Sequence, residues 1–433
     1  MRRARALVAG IGVGLGLGLG AVLAACAGAP GHGGGVGPLV PSVPASASAQ
    51  GVPAFYTPPR PLPAGPAGSL IRTERVTSVP GVPRRATVWR ILYRSRSIYG
   101  DDIAVSGYVV VPPGPAPRGG FPVIAWAHGT TGVADACAPS LFNSLEGQGP
   151  YVMPDIGSYL AARDIVAATD YEGLGTPGVH PYLLGESEGR SVLDAARAAM
   201  RLPGVHASRT VVIYGHSQGG HAALFAGQLA PTYAPDLHVI GVVAAAPATN
   251  LSAIVSIADT PTGAEILLFE LPALDSWART YRDLPLSDIF TPSGAVLADT
   301  LVDTGCQNHL TSTVAAHHIT TADLYQPGVD SNAVVAAHAR LNDPGTTATA
   351  FPILIVQGTA DTTVPAALTD QFVTGTGCPI GDRIDYVHVT GATHGEVVYQ
   401  AVPVITAWMA GRLRGSPAPT TCGRTGDVTT FTP

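Results

Sequence analysis

A serine stands between two glycines in Gly215-His216-Ser217-Gln218-Gly219, after the apolar run Thr210 to Tyr214 and before an alanine-rich segment of helical composition reaching Leu229. A serine hydroxyl becomes a nucleophile where a tight strand-to-helix turn lifts it clear of the backbone, and small flanking residues let that turn close. The helix start then offers N–H groups and positive dipole to a developing oxyanion. The five residues alone are a common pattern; the strand before and the helix after give it force. They predict acyl-transfer chemistry with Ser217 as nucleophile and the Gln218 N–H as one oxyanion donor.

Such a serine needs a base, and the base needs a carboxylate to orient it. When the serine sits on this kind of elbow, acid and base follow it in chain order. The apolar run Pro352 to Val356 leads into Gln357-Gly358-Thr359-Ala360-Asp361, which puts Asp361 on a loop after a late strand. Asp370, Asp382 and Asp385 are its rivals, in helix-like or strand-edge settings where a solvated carboxylate is the expectation. The run Asp385 to Val389 reads as the last strand, and the loop after it, Thr390 to Gly395, carries His394 as the candidate base. His388 lies inside that strand, and His317 and His318 fall in a distant helical stretch, where a surface role is expected.

A second oxyanion donor must come from an earlier loop. The strand Pro122 to Ala127 ends in His128-Gly129-Thr130-Thr131-Gly132, a small-residue loop suited to offering a backbone N–H. Thr130 is the expected donor, with its hydroxyl as a further contributor and Thr131 as its rival.

These loops need a frame. Apolar runs at Ile103 to Val111, Asp164 to Thr169 and Leu237 to Ala245 join those named above as strands. Helical segments at Arg190 to Arg201 and Val404 to Arg414 alternate with them. Strands alternating with helices predict an α/β fold with a mainly parallel sheet covered on both faces. Between about residues 251 and 341 the pattern turns mostly helical, which reads as an inserted cap, either a moving lid or plain scaffold.

Composition narrows the remaining classes. The chain has 433 residues, 46% hydrophobic and 12% charged, so a large core is affordable. Its 24 basic residues are all arginine, set in no basic stripe, and its net charge is −6, so nothing supports nucleic-acid binding. Arg2, Arg3 and Arg5 followed by the uncharged run Ala6 to Ala25 form an export signal over 1–25. Leu23-Ala24-Ala25-Cys26 resembles a bacterial lipobox, in which Cys26 is acylated and anchors the chain to the outer face of a membrane. A plainly cleaved or uncleaved signal is the alternative. Residues 26–66, rich in Gly, Pro, Ala and Ser, read as a disordered tether, leaving 67–433 as the folded body. Four cysteines remain beyond Cys26, an even number that suits two disulfides in an exported chain, with three connectivities open. No CxxC pair or dinucleotide loop calls for a metal or organic cofactor, and no obligate protein partner is indicated.

The set HGTTG, Cys137-Ala138-Pro139-Ser140, Asp170-Tyr171-Glu172-Gly173, GHSQGG, the GTAD loop and Thr393-His394-Gly395-Glu396 resembles the secretory lipase family, the lipase A type of α/β-hydrolase, over roughly residues 85–425. The resemblance implies an α/β-hydrolase fold, a Ser217–Asp361–His394 triad and a helical cap inserted before the acid. It also implies disulfides Cys137–Cys306 and Cys378–Cys422. The oxyanion loop departs from the fungal members, which carry a bulkier, acid-containing sequence there. Asp170 and Glu172 are expected to fix nearby loops by hydrogen bonds. The implied activity is hydrolysis of carboxylic esters, acylglycerols among them, through an acyl-enzyme. A short-chain esterase, an acyltransferase or a serine peptidase would share the triad, and an inert lipid-binding lipoprotein is the non-enzymatic alternative.

Overall fold

The structure is a computed structural model that describes residues 52–143, 150–253, 267–303, 305–423 and 429–433. The signal segment, Cys26 and most of the expected tether lie outside the described residues. Among the described residues one ten-stranded sheet forms the frame, in the order β1-β2-β3-β5-β4-β6-β7-β8-β9-β10. Three antiparallel strands, β1 (Leu70–Val76), β2 (Thr87–Arg96) and β3 (Asp102–Val111), make one edge. From β5 (Ile165–Thr169) the pairing is parallel through β4 (Phe121–Ala127), β6 (Ala207–His216), β7 (His238–Ala245), β8 (Ile353–Gly358), β9 (Ile384–Val389) and the short β10 (Thr429–Phe431). The fold is that of an α/β-hydrolase.

The two faces of the sheet follow from the period of two in its strands. Ile165, Ala167, Val211, Ile213, Ile353 and Ile355 turn to a core covered by α2 (Gly185–Ala199) and α3 (Gln218–Tyr233). Val166, Ala168, Val212, Tyr214, Leu354 and Val356 turn to the opposite core, where α1 (Ile156–Ala161) and the closing helix (Val402–Leu413) contribute Tyr159, Leu160, Ile405 and Met409. Burial on both sides is why these strands read as unbroken apolar runs.

Between β7 and β8 lie α4 (Leu267–Thr280), α5 (Pro292–Asp303), α6 (Gln307–His317), a short helix Thr321–Leu324 and α7 (Ala333–Leu341). They hold a third core, in which Leu271, Leu274 and Trp277 pack with Tyr182, Leu183 and Leu251. Disulfides join Cys137 to Cys306 and Cys378 to Cys422, the pairing that the resemblance implies. The first ties α6 to the loop after β4.

One expectation is corrected. The sequence predicts a tether to residue 66, yet its last part is anchored to the body at Ala54–Tyr56 and at Pro63. Tyr56 is 1% exposed and its hydroxyl lies 2.8 Å from Ser140 Oγ. Arg72 Nη1 donates to the carbonyls of Ala54 at 2.9 Å and Phe55 at 2.6 Å. A single buried aromatic with satisfied backbone carbonyls is enough to order a stretch whose composition alone reads as loose.

Candidate active site

Strand β6 ends at His216 and α3 begins at Gln218, so Ser217 alone makes the turn, with φ 59° and ψ −119°. Holding a residue with a side chain there costs about 1–3 kcal/mol, so the surroundings must over-determine it. They do. Its N–H donates to the Ala245 carbonyl at 2.9 Å, and its carbonyl accepts from His221 N–H at 3.1 Å and Ala248 N–H at 3.3 Å. A Cβ on Gly215 would fall onto the Gly219 carbonyl, and one on Gly219 onto the Ala127 carbonyl. Both glycines are therefore demanded by close approach, which is the physical content of the motif.

The structure brings His394 and Asp361 to this serine. His394 Nε2 lies 2.8 Å from Ser217 Oγ, and His394 Nδ1 lies 2.7 Å from Asp361 Oδ2. With Nδ1–H donating to the carboxylate, the bare Nε2 accepts the serine hydroxyl. Asp361 is fixed in turn: Oδ1 accepts from the N–H groups of Thr363 at 2.9 Å and Val364 at 2.8 Å, and Oδ2 from Gln357 Nε2 at 3.0 Å. Its side chain is sealed from solvent, whereas the His394 side chain is 18% exposed. His216, the variable residue of the motif, donates from Nε2 to the His394 carbonyl at 2.9 Å. Burial pushes its imidazole down to about 3, so it stays neutral and clamps the histidine loop. Glu396 closes the other side, accepting from Thr393 N–H at 3.0 Å and Thr393 Oγ at 2.7 Å.

The rivals sit elsewhere. Asp370 accepts from Tyr386 Oη at 2.7 Å and lies 3.1 Å from His388 Nε2, a cluster removed from Ser217. Asp382 accepts from Thr349 N–H at 2.6 Å. Burial raises the Asp385 carboxyl. His317 and His318 end α6 in exposed positions.

In the loop after β4, Thr130 Oγ lies 2.7 Å from Tyr182 Oη, so its hydroxyl is already engaged. Thr131 offers its carbonyl to Gln307 N–H at 3.0 Å. Gly132 lies against the Cys137–Cys306 bridge, where a Cβ would come within 2.9 Å of Cys137 Sγ. The loop is thus braced by the disulfide and by α6. Asp170 holds it from below: its carboxylate accepts from Ser140 N–H at 2.9 Å and Ser106 Oγ at 2.7 Å, and from Ser140 Oγ. Burial raises Asp170 to about 6. Glu172 accepts from Ser187 Oγ at 2.5 Å.

An apolar cavity opens beside Ser217, walled by Leu183, Ala248, Leu251, Ala273, Trp277 and Val364. Most of this wall comes from the third core. A more open and more polar groove lies past Thr130, lined by Tyr151, Asp155, Gln307 and Tyr399 among others. Sequence reasoning missed Glu188 and His180, which hold the Gln218 side chain, and His221, which pairs with Glu188. The signal for Glu188 was faint, a glutamate in a helix of mixed polarity where a solvated side chain is the default.

The secretory lipase family model matches residues 154–421. A protein named a probable inactive lipase, from Mycobacterium tuberculosis, is 28% identical over 206 residues, 46% of this chain and 45% of its own length. Lipase 10 of Candida albicans is 23% identical over 407 residues, 86% of this chain and 83% of that protein. The chain thus spans less than half of the first relative and most of the second. Among solved structures, Candida antarctica lipase A aligns with a TM-score of 0.73 at 19% identity, covering 88% of each chain, a likeness of fold. The family match runs across the elbow, the helical insertion and the loops of Asp361 and His394, and on that ground the chain belongs to the secretory lipase family.

Proposed function

We propose that the chain is an exported serine hydrolase that cleaves carboxylic esters, acylglycerols among them, through an acyl-enzyme on Ser217. One observation carries the reading: Ser217, His394 and Asp361 are hydrogen-bonded in series at 2.8 and 2.7 Å beside an apolar cavity. His394 takes the hydroxyl proton as Ser217 Oγ attacks the ester carbonyl. The oxyanion accepts from the N–H of Gln218 and that of Thr130, with Thr131 as the rival donor. The C–O bond then breaks, the alcohol leaves with the proton from His394, and the acyl group stays on Ser217. Water repeats the sequence with His394 as base, releasing the acid and restoring the serine. Each donor of this kind contributes about 10²–10³ in kcat.

The apolar cavity would take the acyl chain. The two disulfides fit an oxidising compartment, and Cys26 would supply a lipid anchor at the membrane surface. A non-catalytic reading draws on the relative named inactive. Against it stands an unbroken bonded series in this chain. A panel of p-nitrophenyl esters of increasing acyl length decides between them. The proposal expects turnover that Ser217→Ala lowers by about 10⁴-fold or more. Equal turnover in parent and variant would overturn it.

A further inference from the structure

Beneath the elbow lies a second histidine–carboxylate pair, fully closed from solvent. Glu188, on α2, and His221, on α3, are both 0% exposed. Glu188 Oε2 lies 2.9 Å from His221 Nδ1. Glu188 Oε1 accepts from Gln218 Nε2 at 2.8 Å and from Leu183 N–H at 2.9 Å. His221 Nε2 lies 2.8 Å from the carbonyl oxygen of Asn342, the residue that ends the helical insertion. A carbonyl only accepts, so Nε2 donates its hydrogen there, and Nδ1 is the nitrogen that meets Glu188. Asn342 reaches back as well, its Oδ1 accepting from Gly185 N–H at 3.0 Å.

Gln218 is held from two sides. Its Nε2 lies 3.1 Å from His180 Nε2, and His180 Nδ1 lies 2.8 Å from the Glu172 carbonyl. The Nδ1 hydrogen is therefore given to Glu172, which leaves His180 Nε2 bare and able to accept. Both amide hydrogens of Gln218 are thus taken, one by Glu188 and one by His180. Its amide orientation is fixed by that pair of acceptors.

We infer that Glu188 is a positioning residue for the oxyanion donor: by holding the Gln218 side chain it keeps the Gln218 N–H aimed at the reacting carbonyl. The inference rests on the serine-hydrolase reading above. Gln218 walls the apolar cavity next to Ser217. A glutamine released there is free to turn its own carbonyl toward its N–H or into the space of the substrate. Electrostatic stabilisation of an oxyanion depends on donors that need no rearrangement at the moment of reaction. His221 and Asn342 extend the same support to the root of the insertion, so elbow and insertion share one buried polar anchor.

The test compares the parent with Glu188→Ala and Glu188→Gln on a p-nitrophenyl ester. Active sites are counted by fluorophosphonate labelling, which removes any effect of misfolded chains. The expected result is that Glu188→Ala lowers kcat per labelled site by about 10–100-fold with KM nearly constant, the scale of one weakened oxyanion donor. Affinity for a trifluoromethyl ketone, which forms the oxyanion on Ser217, falls in parallel. Glu188→Gln still accepts from Gln218 and recovers the larger part of the loss. Should Glu188→Ala fail to fold, Gln218→Met, which fills the same space without donating, gives the same comparison. Unchanged kcat per labelled site in the folded variant overturns the inference, whatever happens to Tm. Absence of labelling and turnover in the parent would instead overturn the proposed function.

Discussion

Two histidine–carboxylate pairs flank the start of α3, and they differ in what the far nitrogen of each ring meets. In the Asp361–His394 pair, Nε2 faces the hydroxyl of Ser217, a group that can give up its proton. In the Glu188–His221 pair, Nε2 faces the carbonyl of Asn342, which has no proton to give. The first ring is partly open to solvent, and the second is sealed. The same pairing of imidazole with carboxylate serves as the proton shuttle of the proposed reaction in one place and as the inferred saturated brace in the other. Partner and access decide which; proximity of imidazole to carboxylate does not.

The sharpest way to break this comparison is to change each carboxylate pair in turn. Asp361→Asn keeps the shape but lets the amide favour the wrong tautomer of His394, and kcat on a p-nitrophenyl ester is expected to drop by about 10⁴-fold with Tm little altered. His221→Leu acts on the other pair and leaves Glu188 buried without its partner. Urea unfolding at neutral pH should show a loss of about 3–5 kcal/mol. If the two single variants gave the same profile of activity and stability, the division of labour between the pairs would be wrong.

A third buried carboxylate sharpens the contrast because it has no imidazole. Asp164 is 4% exposed, and burial pushes its carboxyl from 3.8 to about 7. The folded chain therefore holds this proton more tightly than the unfolded chain. Its contribution to stability is complete below the unfolded value and is lost as pH rises through about 7. Asp164→Asn removes the buried charge, so its Tm at pH 8 should exceed the parent's by about 2–4 °C, with the gap closing toward pH 4. Parallel Tm curves for the two proteins across that range would contradict the assignment.

Much of this was legible in the chain itself. The strands β4 to β8 announced themselves because burial on both faces leaves no polar alternation, and Ser217, Asp361 and His394 each stand at a turn or loop after a strand legible in the sequence. Of the antiparallel edge, β3 is legible as the run Ile103 to Val111, but β1 and β2 are not. In β2, Arg90 and Arg94 interrupt the apolar run, and only the fold shows where they go: Arg90 donates to the Ser140 carbonyl at 2.9 Å and Arg94 to the Pro63 carbonyl at 2.9 Å. Strand β10 is three residues long and has no periodicity to read. Glu188 and His221 lie 33 positions apart on two helices, and nothing local marks either as buried. Tyr56 was hidden by its proline-rich surroundings, since its partner Ser140, itself bonded to Asp170, comes from a distant loop.

The most direct test of the central claim is to stop the reaction with acid while a p-nitrophenyl ester is turning over and to map the trapped acyl group by peptide mass. The account predicts one acyl group per chain, on the peptide that holds Ser217, absent in Ser217→Ala. An acyl group on a different residue, or undiminished hydrolysis by Ser217→Ala, would contradict it.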